Sequence, residues 1–257
     1  MTSVPARARP VWIPKLAGGV ALALLWELAG RRSQSLLLPS FSETIAALAS
    51  LISGSELWLA LLVSNEALVL GFLAAVSTGI PLGLVLGRWR IADVLLHPYL
   101  LLMVALPTTA LMPVIFMLGG LGLAARVLVV CLFSLPIVAE CARTAVREVD
   151  ARLRDMARAF GATPAQEWSE VLLPASAPGI LTGVRLGLAR AIEGMVVVEL
   201  LLVAVGLGGL LLDYQGRFEA AHVYAVILVV MAEAALLSLA GRRLERRFSP
   251  ATRAAGS

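Results

Sequence analysis

An all-α, polytopic membrane protein with six transmembrane helices is the fold class this sequence predicts. Three observations carry that prediction. Hydrophobic residues make up 60% of the 257 residues and charged residues only 15%, whereas a soluble domain is about 45–50% apolar. The mean hydropathy is +0.91. The apolar segments run unbroken over the roughly 20 residues that a helix needs to cross a bilayer, without the alternation of a transmembrane barrel.

The first span is predicted at about 11–29. It follows a basic leader (Arg7, Arg9, Lys15), but Trp26-Glu27-Leu28 does not resemble a small-residue cleavage site, so it reads as a span and not a signal peptide. Residues 30–65 form an outer connection broken up by Ser33, Pro39, Ser40, Ser42, Ser53, Gly54 and Ser55. A short helix is predicted inside it at about 42–52, with Ser42 as cap and Ile45, Leu48, Ala49 and Ile52 as its stripe. Five further spans follow at about 66–87, 96–118, 123–141, 183–205 and 222–241. Pro81, Pro107, Pro113 and Pro136 fall inside them, as membrane helices allow when neighbours satisfy the freed carbonyls. Gly79, Gly83 and Gly87 form one small-residue face, and Gly183, Gly187 and Ala191 another. Such faces let backbones approach closely, within the chain or against a second copy across a pore. Gly206-Leu207-Gly208-Gly209 reads as a tight outer turn.

Basic residues set the orientation. With the N-terminus inside, Arg88, Arg90, Arg143, Arg147, Arg152, Arg154, Arg158, Arg242, Arg243, Arg246, Arg247 and Arg253 join Arg7, Arg9 and Lys15 on the inner side. Only Arg31, Arg32, Arg126 and Arg217 lie outside. Both termini are therefore expected in the cytoplasm, and the net charge of +4 needs no nucleic acid to explain it.

Glu27, Glu193, Glu199 and Glu233 fall in apolar spans, where a carboxylate must face protein or water. Interhelical contact and lining of a solute path are both open to them. Glu193 lies three residues after Arg190 and can pair with it. As path candidates the sequence offers Glu199, the deepest, with Glu193 and Met195 on span five and Thr108 and Met112 on span three. Chemistry by the chain itself is not expected. Its single lysine, Lys15, cannot serve a phosphate-binding loop, and Ser134 lacks a histidine base. Cys131 and Cys141 have no metal-site spacing, and His97 and His222 read as interfacial. No catalytic residue, metal or bound cofactor is assigned.

The long hydrophilic interval between spans four and five is the most informative stretch. Leu153, Met156, Ala157 and Phe160 recur at i, i+3, i+4, i+7, the spacing of one helical face. Gly161 suits the end of that helix. Thr163-Pro164-Ala165-Gln166 suits the start of the next, with Ala165, Trp168, Val171 and Leu172 as stripe and Leu173-Pro174 as stop. A glycine-hinged pair with an apolar stripe either docks on a partner or lies on the membrane surface.

Asp155-Met156-Ala157, Gly161, Val171 and Leu173-Pro174 stand in the register of the "EAA" loop, and the chain resembles the transmembrane subunits of binding-protein-dependent ABC importers. Asp155, Met156 and Val171 replace a Glu, an Ala and an Ile of that pattern. Gly71-Phe72, Gly79-Ile80-Pro81-Leu82-Gly83, Leu106-Pro107 and Met112-Pro113 resemble the nitrate/sulfonate/taurine-type branch, as does Glu199; Ala67 stands where many members carry a basic residue. The resemblance implies a type I ABC importer permease fold. It divides the chain into an N-terminal helix and outer connection (1–58), a transmembrane core (59–248) and a cytoplasmic tail (249–257). It implies a bacterial inner-membrane permease pairing with a second copy, and a periplasmic or lipid-anchored solute-binding protein. A cytoplasmic ATPase dimer, which holds the ATP and Mg, would dock on Asp155, Met156, Ala157, Phe160, Gly161, Ala162, Thr163, Trp168, Leu173 and Pro174. The solute would be sulfonate-, taurine- or nitrate-like, or a vitamin precursor. An ion-gradient-driven secondary transporter is the alternative, favoured by the intramembrane glutamates alone.

Overall fold

A computed structural model describes residues 12–33, 37–201 and 203–248. The leader arginines Arg7 and Arg9 and the tail at 249–257, with Arg253, lie outside the described residues. The described chain is helical and has no strands. Helix α1 (Trp12–Arg32) corresponds to the first predicted span, and α2 (Phe41–Ser53) to the short outer helix. The cap of α2 is Ser40, not Ser42. The Ser40 hydroxyl accepts from the Glu43 amide at 3.3 Å and the Glu43 carboxylate accepts from the Ser40 amide at 2.8 Å, a reciprocal box that satisfies two end donors. Ser42 instead donates its amide (2.9 Å) and its hydroxyl (3.0 Å) to the Glu27 carboxylate, so this acid of α1 is held by α2.

Helix α3 (Glu56–Arg88) starts ten residues before the predicted span. Its 33 residues extend roughly 50 Å at 1.5 Å per residue, well past a hydrocarbon core of about 30 Å. The predicted span at 96–118 is not one helix. It is α4 (Arg90–Ala105), a tight turn (Thr108–Leu111) and α5 (Met112–Gly119), and the two halves meet at 93°. Pro107 is the cause: it pushes Leu106 out of the helical region (ψ 132°) and has no amide to continue the ladder.

Helix α6 (Leu123–Arg147) is the centre of the molecule, with α3 along one side and α9 (Leu173–Leu201) along the other. The predicted glycine faces make both contacts possible. A Cβ on Gly83 would stand 2.3 Å from the Ala139 carbonyl oxygen, and one on Gly187 2.4 Å from a Val138 methyl. At this contact the small-residue faces of α3 and α9 are spent on packing within the chain. Helices α10 (Gly206–Gly216) and α11 (Ala220–Phe248) close the bundle, packing with α2 and α3 around Leu51, Leu57, Leu207 and Tyr214. By length and composition α3, α6 and Ala220–Arg243 of α11 can each cross a membrane, and α4–α5 and α9–α10 can do so as bent pairs.

Candidate functional site

Between α6 and α9 lies the hydrophilic interval. Helix α7 (Ala151–Ala159) starts at Asp150, whose carboxylate accepts from the Arg152 amide at 2.9 Å. It ends at Gly161 in the left-handed conformation (φ +80°). The Gly161 amide donates to the Arg158 carbonyl (2.9 Å) and the Ala162 amide to the Ala157 carbonyl (3.0 Å), the two bonds of a Schellman end. Thr163 then caps the next helix, its hydroxyl accepting from the Gln166 amide while the Gln166 side chain accepts from the Thr163 amide. Both predicted boundaries are present.

The predicted stop at Leu173-Pro174 is not. After α8 (Pro164–Gln166) the chain widens into a π turn (Glu167–Leu172) and passes directly into α9. Proline in a regular helix clashes with the carbonyl four residues earlier. Here the widened turn precedes Pro174, which stands in the first turn of α9, so the helix continues. The interval is therefore joined to a membrane helix without a break.

Ion pairs stiffen this arrangement at two places. Arg158 donates to Glu167 through Nε (3.1 Å) and Nη2 (3.3 Å), bridging the glycine hinge. This guanidinium holds the Glu167 carboxyl below the ordinary carboxylate range, and burial only partly opposes it. Near the end of α6, Arg143 and Arg147 both reach Asp93 of α4, the latter at 2.7 Å. Arg143 also reaches Glu140, which in turn contacts His97 at 3.1 Å. Apart from Arg143–Glu140, an i, i+3 pair on one helix, nothing in the residue spacing signals the contacts to Asp93 and His97, because they join elements that meet only in the fold.

Of the predicted stripe, Ala157 is buried while Leu153, Met156 and Phe160 project outward; Phe160 is 86% exposed. Asp155, Gly161, Thr163, Leu173 and Pro174 are also exposed, and Ala162 is half-buried. Trp168 is half-buried beneath the Arg88 guanidinium of α3, 5.9 Å from its ring centre.

The predicted path residues separate into two groups. Thr108 and Glu193 line a cavity of about 260 Å³ beside the Pro107 break, with Thr109, Phe133 and Arg190. Arg190 donates to Glu193 at 2.8 Å, the predicted pair. Met112, Met195 and Glu199 do not line it. Both methionines are packed in apolar cores, and Glu199 is fully buried. The Glu199 carboxylate accepts from the Ser64 hydroxyl (2.8 Å) and the Gly208 amide (3.0 Å), with Arg126 3.9 Å away. Ser64 in turn accepts from the Leu207 amide at 2.9 Å. This acid fastens α10 to α3 and α9. Gly206 (φ +63°) and Gly208 leave no room for a Cβ beside it, so the predicted outer turn is the close-packed start of a helix. Glu233 accepts from Asn65 of α3 at 2.6 Å, an interhelical contact of the same kind.

Residues 79–250 match the family model described as binding-protein-dependent transport system inner membrane component. The chain is 28% identical over 246 residues to the putative aliphatic sulfonates transport permease protein SsuC of Bacillus subtilis (strain 168), covering 95% of this chain and 89% of that protein. It is 34% identical over 197 residues to the taurine transport system permease protein TauC of Escherichia coli (strain K12), covering 76% and 71%. Its fold resembles a chain of the MetNI methionine ABC transporter in an inward-facing conformation, with a TM-score of 0.62 at 22% identity over 77% of this chain and 96% of that one.

Proposed function

The chain belongs to the family of binding-protein-dependent transport system inner membrane components, and from that premise we propose that it is the permease subunit of an ATP-driven importer for a small solute. Two permease copies form the path. A solute-binding protein delivers the solute from outside, and a separate cytoplasmic ATPase dimer, which binds ATP and Mg, drives the cycle. The sulfonate and taurine permeases among its relatives make a sulfonate- or taurine-like solute the first to test. Core residues 59–248 carry the path, with both termini in the cytoplasm.

The observation that carries this reading is the continuous protrusion. Met156 and Phe160, with Asp155, Gly161, Ala162 and Thr163, present an apolar tip with a charged edge to the ATPase groove. The Arg158–Glu167 pair makes the two short helices move together. Trp168 braces them on α3, and the π turn hands the motion through Leu173 and Pro174 to α9. Helix α9 carries Arg190 and Glu193 on the cavity wall, so a push at the tip changes that wall. Thr108 and Glu193 line the solute path. Ala157, Met112, Met195 and Glu199 hold the framework.

The test is ATP-dependent uptake in vesicles holding the permease, its ATPase and its binding protein. Phe160→Asp, at a side chain with no packing role in the chain, leaves the permease folded and abolishes uptake. Full uptake by Phe160→Asp, or solute uptake driven by a proton gradient with no ATPase present, overturns the reading.

A further inference from the structure

The exposed face of α9 within the bundle carries Leu186, Ala189, Arg190 and Glu193. Among the described residues the last two are the only charged side chains on the 260 Å³ cavity, and they face each other at 2.8 Å with side chains 53% and 51% exposed. Charges on a membrane helix point to protein or to a water-filled space. These two point to the cavity, where the remaining polar groups on its wall include the hydroxyls of Thr108 and Thr109.

Resting on the reading of this cavity as part of the solute path, we propose that the Arg190–Glu193 pair selects small zwitterions and binds them by exchange of partners. The solute's acidic group takes the Arg190 guanidinium and its ammonium group takes the Glu193 carboxylate. The charge balance of the site carries this. The wall is neutral as a whole. A simple anion that draws Arg190 away leaves the Glu193 carboxylate without its counter-charge and beside a second negative charge, which like-charge repulsion opposes. A simple cation strands Arg190 in the same way. A zwitterion leaves each charge with a partner and the cavity neutral throughout. An exposed i, i+3 pair is a weak contact, so little is lost when it opens. Its two ends lie close together, which fits a solute whose charges are separated by a short chain.

The test uses the full chain in nanodiscs with Thr108→Cys, labelled by a maleimide, against the unsubstituted chain as background for Cys131 and Cys141. Taurine (2-aminoethanesulfonate) slows labelling, whereas ethanesulfonate and ethylamine at equal concentration and ionic strength do not. Adding Glu193→Gln turns the site into an anion site: protection by ethanesulfonate rises roughly tenfold, the weight of one charge-assisted contact, and the advantage of taurine disappears. Equal protection by taurine and ethanesulfonate in the starting chain overturns the proposal. So does a taurine preference that survives Glu193→Gln, or an absence of protection by any probe. These outcomes are separate from ATP-dependent uptake by the assembled transporter. Uptake without the exchange behaviour removes this inference alone, and loss of ATP-dependent uptake removes the reading it rests on.

Discussion

Alanine in place of Gly83 is the most direct challenge to the α3–α6 contact that holds the bundle. An added Cβ would lie 2.3 Å from the Ala139 carbonyl oxygen, 2.6 Å from the Ala142 Cβ and 3.0 Å from the Arg143 amide nitrogen, against 3.4–4 Å for ordinary contact. The nearest obstacle is backbone, so no rotamer change relieves it, and the helices must separate by about 1 Å, which forfeits a quarter to a half of each neighbouring contact. Overpacking of this kind costs about 1–3 kcal/mol. Against it stands the helix-propensity gain of glycine to alanine, about 1 kcal/mol. At Gly83 the strain wins. At Gly79 the nearest atoms are 3.2 Å away, and the two effects roughly cancel. At Gly19 of α1 no atom of the described residues lies within 4 Å, and only the propensity gain remains. The expected order of thermal stability in detergent, read by fluorescence-detected size exclusion after heating, is therefore Gly19→Ala, then Gly79→Ala, then Gly83→Ala. A Gly83→Ala chain as stable as Gly79→Ala refutes the reasoning, because the close approach of α3 and α6 would then not exist.

Three further outcomes are expected. Gly161 has open space around it, so substitution there tests backbone conformation and surface shape separately: Gly161→Asn retains coupled transport, Gly161→Ala costs about 1–2 kcal/mol of local stability, and Gly161→Trp assembles but uncouples ATP hydrolysis from uptake, each read by paired ATPase and uptake assays. Replacing Glu199 by Leu leaves the Ser64 hydroxyl and the Gly208 amide without their acceptor and Arg126 without its counter-charge, and lowers stability by about 3–5 kcal/mol, while Glu199→Gln keeps one accepting oxygen and costs less; equal melting temperatures for the two variants would contradict this. The Arg158–Glu167 pair gives the hinge a pH dependence of known sign. The folded-state pKa of Glu167 is depressed, so its contribution is complete above the unfolded value near 4.5 and is lost as pH falls through the lower folded value. Protection of the Ala162 amide from hydrogen exchange should fall with acid over that window in the native chain and lose this dependence in Arg158→Gln.

The protrusion between α6 and α9 was the most legible part of the chain, because its boundaries are made by side chains bonding to backbone a few residues away. Thr163 with Gln166, and Gly161 after Phe160, mark helix ends by short-range contacts that any sequence with those residues can make. The same logic misplaced the cap of α2 only because Ser40 and Ser42 are both suitable; Glu43, three residues after Ser40, is the signal that separates them. The Pro107 break was visible as a proline within a span, but its depth was not. A proline inside a membrane helix is compatible with continuation, as at Pro81 and Pro136, or with a 93° turn, as at Pro107. Surrounding helices decide between the two.

The sequence by itself determined the helical membrane class, the family and the two ends of the hinge, since hydropathy over twenty residues and capping over four are local properties. Tertiary structure alone decided that Leu173-Pro174 continues a helix, that Glu199 is a buried fastener, and that Arg190 and Glu193 share a cavity wall with Thr108. Those outcomes depend on which groups the packed helices bring together, and no local pattern encodes a distance between α3, α4 and α9.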